Sequence, residues 1–116
     1  MSKEIEFLGD SREVLKSFPD ETRISMGHAL RVAQEGGKVL YAKPLKSLGG
    51  GATTVVEICE DHDGDTYRVI YTVKIGKKVY VLHAFQKKSK KGIKTPKADI
   101  AIILTRLNKA KELAGV

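Results

Sequence analysis

Residues 66–85 read Thr66-Tyr67-Arg68-Val69-Ile70-Tyr71-Thr72-Val73-Lys74-Ile75-Gly76-Lys77-Lys78-Val79-Tyr80-Val81-Leu82-His83-Ala84-Phe85. The first half alternates. Tyr67, Val69, Tyr71, Val73 and Ile75 fall on one face of an extended chain, and Thr66, Arg68, Ile70, Thr72 and Lys74 on the other. This predicts a strand over 66–75 with an apolar face against helices and a mostly polar face that carries Arg68. Gly76-Lys77 is a tight turn. Val79 to Phe85 is apolar on both faces, so it reads as an interior strand. Two strands joined by so short a turn must be antiparallel neighbours.

Outward from this core, Thr54 to Glu60 is rich in β-branched residues and reads as a third strand. Asp61-His62-Asp63-Gly64-Asp65 joins it to the next strand, and Asp-Gly suits a hairpin. The same pentapeptide resembles the start of a calcium loop. With Asp61 as position one, Thr66 stands where Gly is required and Thr72 where Glu is required, so the hairpin reading is preferred. Further upstream, Glu4 to Leu8 alternates as a short first strand. Asp10 or Ser11 caps a helix through Phe18. Pro19 breaks that helix and opens a second, with Ile24, Met26, Ala29, Leu30 and Ala33 as its apolar stripe. Gly36-Gly37 stops it. Residues 38–53 read as a basic loop ending in the hinge Gly49-Gly50-Gly51. Downstream, Thr95 caps a last helix with Pro96 at its first position and Ile100, Ile103, Leu104 and Leu107 as its stripe. The predicted fold is α+β, in the order β-α-α-β-β-β-α. An antiparallel sheet carries a helical hairpin and a C-terminal helix packed on one face.

The chain has 116 residues, enough for a single domain over 1–116. Hydrophobic residues make up 41% and charged residues 30%, which excludes global disorder. One cysteine cannot form an internal disulfide, the start lacks the apolar run of a signal peptide, and Ile100–Leu104 is far too short to span a membrane. A cytoplasmic protein with no membrane contact is expected.

The formal net charge is +7, and residues 87–116 alone carry 9 basic and 2 acidic side chains. The excess gathers at Lys87, Lys88, Lys90, Lys91, Lys94 and Lys97. Such a cluster attracts phosphates, or serves simply as a solvated lysine-rich loop. His28, His62, His83 and Cys59 lack the spacing of metal ligands, and no phosphate-binding glycine motif is present. No metal or other cofactor is expected. His83 shares parity with Val81 and Phe85 and reads as a hydrogen-bonded core histidine, or as a proton carrier. Cys59 reads as a small buried apolar residue.

What remains is basic. Arg68, near the start of one strand, can approach Lys87 or Lys88 at the end of its antiparallel neighbour, with Lys43 and Lys46 in the loop feeding the sheet. Such a groove binds a phosphodiester and can stabilise the extra charge of a pentavalent phosphorane. Because RNA carries its own 2′-OH nucleophile, such a site needs no metal. The alternative is a structural Arg68 paired with Glu57 or Glu60 across the strands.

Asp65-Thr66-Tyr67-Arg68-Val69-Ile70-Tyr71, then Val79-Tyr80-Val81-Leu82-His83-Ala84-Phe85-Gln86-Lys87-Lys88-Ser89, then Lys94-Thr95-Pro96 and a terminal helix, resembles the phage-derived Gp49-like group of the RelE/HigB-type toxin superfamily. Leu45-Lys46-Ser47-Leu48 fits as well. The resemblance implies a toxin of a type II toxin–antitoxin system: a ribosome-dependent mRNA endoribonuclease that cleaves by 2′-OH attack without metal. It casts Arg68 as the residue that stabilises the phosphate. Lys87 or Lys88 would supply charge or a proton to the leaving oxygen. Lys43, Lys46, Lys90, Lys91 and Lys94 would hold mRNA and ribosomal RNA. The implied partners are the ribosome, mRNA and a cognate antitoxin with a helix-turn-helix domain. The chain departs from several ribosome-dependent members in having no Tyr or His after His83, which leaves His83, a lysine or Tyr80 as proton carriers. Two alternatives share the resemblance: a ParE-like toxin that inhibits DNA gyrase without cutting RNA, and a prophage remnant that only binds nucleic acid.

Overall fold

The computed structural model describes residues 2–45, 55–87 and 95–116. The elements are β1 (Glu4–Phe7), α1 (Ser11–Lys16), α2 (Asp20–Gln34), β2 (Ala42–Pro44), β3 (Val55–His62), β4 (Asp65–Thr72), β5 (Lys78–Lys87) and α3 (Lys97–Ala114). The five strands lie in the order β1-β5-β4-β3-β2.

The α+β class and the two central hairpin pairings are as the sequence predicts. Asp63 and Gly64 link β3 to β4 with φ of +50° and +86°. That pair of left-handed conformations matches the twist of the flanking strands, and Asp-Gly tolerates it. Strand β3 runs on to His62, beyond the expected Glu60, while β4 ends at Thr72, short of Ile75.

The sheet is mixed rather than wholly antiparallel. β1 lies parallel to β5, with Glu4 opposite Lys78 and Phe7 opposite Val81. Lys78 Nζ reaches Glu6 at 3.1 Å across this edge. Ala42–Pro44, expected to be loop, forms the short strand β2 against Val56–Ile58 of β3. Pro44 and the exposed Lys43 suit a short edge, because neither invites a further strand. Gly49–Gly51, the expected hinge, lies outside the described residues.

The largest correction concerns the layers. Helices cover both faces of the sheet. Leu15 of α1, Phe18 just after it, and Met26, Ala29, Leu30 and Ala33 of α2 pack against Ile58, Tyr67, Val69, Tyr71, Val79 and Val81. On the opposite face, Ile103, Leu107 and Ala110 of α3 pack against Val55, Ile70, Tyr80, Leu82 and Phe85. The face read as polar from β4 alone is completed by Tyr80, Leu82 and Phe85 of β5. Their apolar area must be covered, and α3 covers it.

Helix faces shift accordingly. Thr22 is buried in α2 and Ile24 is 65% exposed, so the stripe runs Thr22, Met26, Ala29, Leu30, Ala33. Leu104 is 42% exposed, and Ala110 takes the expected place in the core. No helix is long and apolar enough to cross a membrane among the described residues.

Gly76 is the point where the end of α3 meets the turn before β5. Its φ is +58°, and a Cβ there would stand 2.8 Å from the Cβ of Ala114. Gly76→Ala is expected to cost more than about 1 kcal/mol, through both backbone strain and contact. Ala114→Gly in the same chain is expected to recover only the contact part. Urea unfolding of the two single variants and the double variant measures both.

Candidate functional site

The site is built around Arg68 on β4. Its direct neighbours across the sheet are Cys59 on β3 and Phe85 on β5. The side chain lies on the face covered by α3, and the residue is 4% exposed. Arg68 Nη1 donates to Glu57 Oε2 at 2.5 Å. The same nitrogen donates to Thr95 Oγ1 at 3.5 Å, the outer limit of a hydrogen bond. Glu57 stands on β3 two residues from Cys59, so it shares the face of Arg68. Glu60 has the opposite parity and pairs with Tyr67. Of the two carboxylates weighed as partners of Arg68, Glu57 is the one that meets it.

Thr95 was expected to cap α3 with its hydroxyl. Instead Pro96 occupies the cap position, with no side-chain capping bond, and the buried Thr95 turns its hydroxyl to Arg68. A similar exchange occurs at α1. Asp10 holds the cap position with no side-chain capping bond, and its Oδ1 accepts from Arg106 Nη2 at 2.9 Å. Ser11 Oγ donates to the carbonyl of Val81.

The second cluster is centred on His83. In β5 the register slips: Ile70 faces His83, and Tyr71 faces Val81. Leu82 is therefore an extra residue, a β-bulge. Its consequence is a change of parity. Val81 packs toward α1 and α2, whereas Leu82 and His83 both face α3. The expected common parity of His83 with Val81 fails for this reason, while that with Phe85 holds. The His83 and Phe85 rings stack, with centroids 5.0 Å apart and planes 20° off parallel.

His83 is a hydrogen-bonded core histidine, as expected by default. Its Nε2 lies 2.7 Å from Asp99 Oδ1, in the early turns of α3. Its Nδ1 lies 3.3 Å from Arg106 Nη1, which also donates to the carbonyl of Leu82 at 3.1 Å. Arginine only donates, so Nδ1 is the acceptor and Nε2 carries the proton given to Asp99. Both ring nitrogens are thus engaged. Tyr80, also weighed as a proton carrier, is 2% exposed among the apolar side chains under α3.

Of the basic residues proposed from sequence, three are described. Arg68 and Lys87 share a face, since Lys87 stands opposite Thr66, two residues from Arg68. Lys43 is exposed on β2 opposite Glu57. Lys46, Lys88, Lys90, Lys91 and Lys94 lie outside the described residues. Sequence reasoning missed Asp99 and Arg106. The signal for the pair was the spacing of seven from Asp99 to Arg106 on one face of α3.

Residues 13–108 match the family described as phage derived protein Gp49-like. The chain belongs to the Gp49-like family. The match runs from α1 into α3 and so includes Glu57, Arg68, His83, Thr95, Asp99 and Arg106. No curated protein matches the chain.

Cys59 reports on the charge of this Gp49-like site. It is exposed, contrary to the expected buried position. Partial desolvation pushes its thiol pKa up, Arg68 pulls it down, Glu57 and Asp61 push it up, and Lys43 pulls it down. Lys43→Ala is therefore expected to raise the pKa further and Asp61→Asn to lower it. The pH dependence of thiol alkylation reads both shifts.

The Glu57–Arg68 pair is largely withdrawn from solvent, with side chains 16% and 5% exposed. Removing one member strands the other. Glu57→Ala is expected to cost about 3–5 kcal/mol, and the double variant Glu57→Leu, Arg68→Met to recover most of it. Denaturant unfolding of the three variants tests this.

Proposed function

We propose that this chain is the toxin of a type II toxin–antitoxin system of the RelE/HigB type, acting on mRNA at the ribosome as an endoribonuclease. The observation that carries the reading is a fixed guanidinium, Arg68, in a Gp49-like chain, with Lys87 and Lys43 on the same sheet face. A guanidinium held in one orientation by a carboxylate and a hydroxyl needs no reorganisation when charge develops on a phosphate beside it. In this reading the 2′-OH attacks the adjacent phosphorus and gives up its proton to solvent water, and the P–O5′ bond breaks. A 2′,3′-cyclic phosphate and a free 5′-OH result. Arg68 stabilises the crowded phosphorane, and Lys87 or Lys88 supplies charge or a proton to the leaving oxygen. Lys43, Lys46, Lys90, Lys91 and Lys94 hold the RNA backbones. The expected partner is an antitoxin with a helix-turn-helix domain, and the place of action is the cytoplasm.

A second reading has its own observation. Arg68 is 4% exposed and ion-paired, as a purely structural arginine is. A protein that inhibits a target such as DNA gyrase by binding alone requires no reactive arginine.

Programmed ribosomes separate the two. Cleavage of ribosome-bound mRNA with free mRNA left intact, and loss of at least about a hundredfold in Arg68→Ala, is the outcome expected of the nuclease. Arg68→Lys keeps the charge but loses the planar fork, and is expected to restore only part of the rate. Intact mRNA with folded wild-type protein, together with inhibited gyrase supercoiling, selects the second reading.

A further inference from the structure

We propose that the His83–Asp99 pair, acting through Phe85 and Thr95, is the device that positions the Arg68 guanidinium. The proposal builds on the reading of Arg68 as the phosphate-stabilising residue and names residues that serve it without touching RNA.

Arg68 sits in a box. Glu57 closes one side with an ion pair at 2.5 Å, and Thr95 accepts from above. Phe85 is its direct neighbour on β5. Two of these three walls are set by His83. The Phe85 ring stacks on the imidazole at 5.0 Å, so the imidazole plane decides where that wall stands. Thr95 lies four residues before Asp99. The bond from Asp99 Oδ1 to His83 Nε2 at 2.7 Å pins the early turns of α3 to β5, and so fixes the height of Thr95 over Arg68.

The imidazole itself has no freedom. Arg106 holds Nδ1 at 3.3 Å, and Arg106 is tied in turn to Asp10 at 2.9 Å and packed over Gly9. Gly9 has φ of +57°, and a Cβ there would stand 2.4 Å from the guanidinium carbon of Arg106. The bulge at Leu82 is what makes the whole relay available. Without it His83 would face α1 and α2, and neither Asp99 nor Phe85 would meet its ring. The two polar clusters are joined by the Phe85 ring and by the turn from Thr95 to Asp99, so the orientation of His83 is passed to Arg68 through packing and helix position. Asp99, His83 and Thr95 are positioning residues.

The test reads the Arg68 side chain directly and turnover separately. The Nε–H signal of Arg68, assigned by its loss in Arg68→Lys, is followed by nitrogen-edited NMR in the full chain. In Asp99→Ala and Thr95→Val it is expected to shift and broaden while the amide spectrum stays folded. Asp99→Asn keeps an oxygen acceptor for Nε2–H, and Thr95→Ser keeps the hydroxyl. Both are expected to hold the wild-type signal. On programmed ribosomes the first two variants are expected to lose on the order of tenfold to a hundredfold in kcat with KM unchanged. An unchanged Arg68 signal in folded Asp99→Ala and Thr95→Val overturns the proposal, as does an equal loss in the conservative variants. Should Asp99→Ala fail to fold, the Thr95→Val and Thr95→Ser pair decides alone. Wild-type protein inert on ribosomes removes the nuclease reading, and the NMR result still decides the positioning.

Discussion

Strand β5 has to bury both of its faces and both of its edges at once. Every layer of the molecule follows from that constraint. Its edges are taken by β1 in parallel and β4 in antiparallel register. Its faces are covered by α1 and α2 on one side and by α3 on the other. A strict two-residue alternation would send His83 into the apolar layer with Val81. One extra residue, Leu82, resolves the conflict by turning His83 toward α3, where Asp99 and Arg106 satisfy both ring nitrogens. Burial of an imidazole without such partners would cost several kcal/mol by the usual penalty for an unsatisfied polar group.

The polar groups under α3 form two clusters that meet at Phe85. One is Glu57, Arg68 and Thr95. The other is Asp10, Arg106, His83 and Asp99. Each joins separate elements: β3 to β4 and to the entry of α3, then β5 to α3 and to the β1–α1 junction. Apolar burial of Ile103, Leu107 and Ala110 holds α3 on the sheet, but apolar contact is non-directional. The directional bonds set the rotation and height of the helix. Capping is forgone for their sake: the carboxylate of Asp10 and the hydroxyl of Thr95 both leave their helix ends to join a cluster.

The catalytic role proposed for Arg68 is compatible with its structural one. A paired, nearly buried arginine is a stable part of the fold, and an oriented guanidinium is what a developing phosphorane requires. The site differs from an open basic groove, which would hold RNA at its backbone without orienting one phosphate. Lys43 and Lys87 supply positive charge on the same sheet face without sharing the deep burial of Arg68.

The strands of the central meander, the Asp-Gly hairpin, α2 and α3 are legible in the order of residues, because side-chain period and turn chemistry are local properties. So is the Gp49-like family, which is carried by short runs such as Tyr67-Arg68 and Phe85-Gln86-Lys87-Lys88. Glu57 and Glu60 were both legible as cross-strand candidates for Arg68, and only the strand register and side-chain parity select Glu57. The parallel placement of β1, the edge strand β2, the bulge at Leu82 and the covering of both sheet faces were decided only in three dimensions. Each depends on which surfaces are left to bury once the local elements exist. Nothing within four or five neighbouring residues distinguishes a helix that lies on one face from a helix that lies on the other. The partners of His83 belong to the same class: Asp99 and Arg106 are 16 and 23 residues away, and only the packing of α3 brings them to the ring.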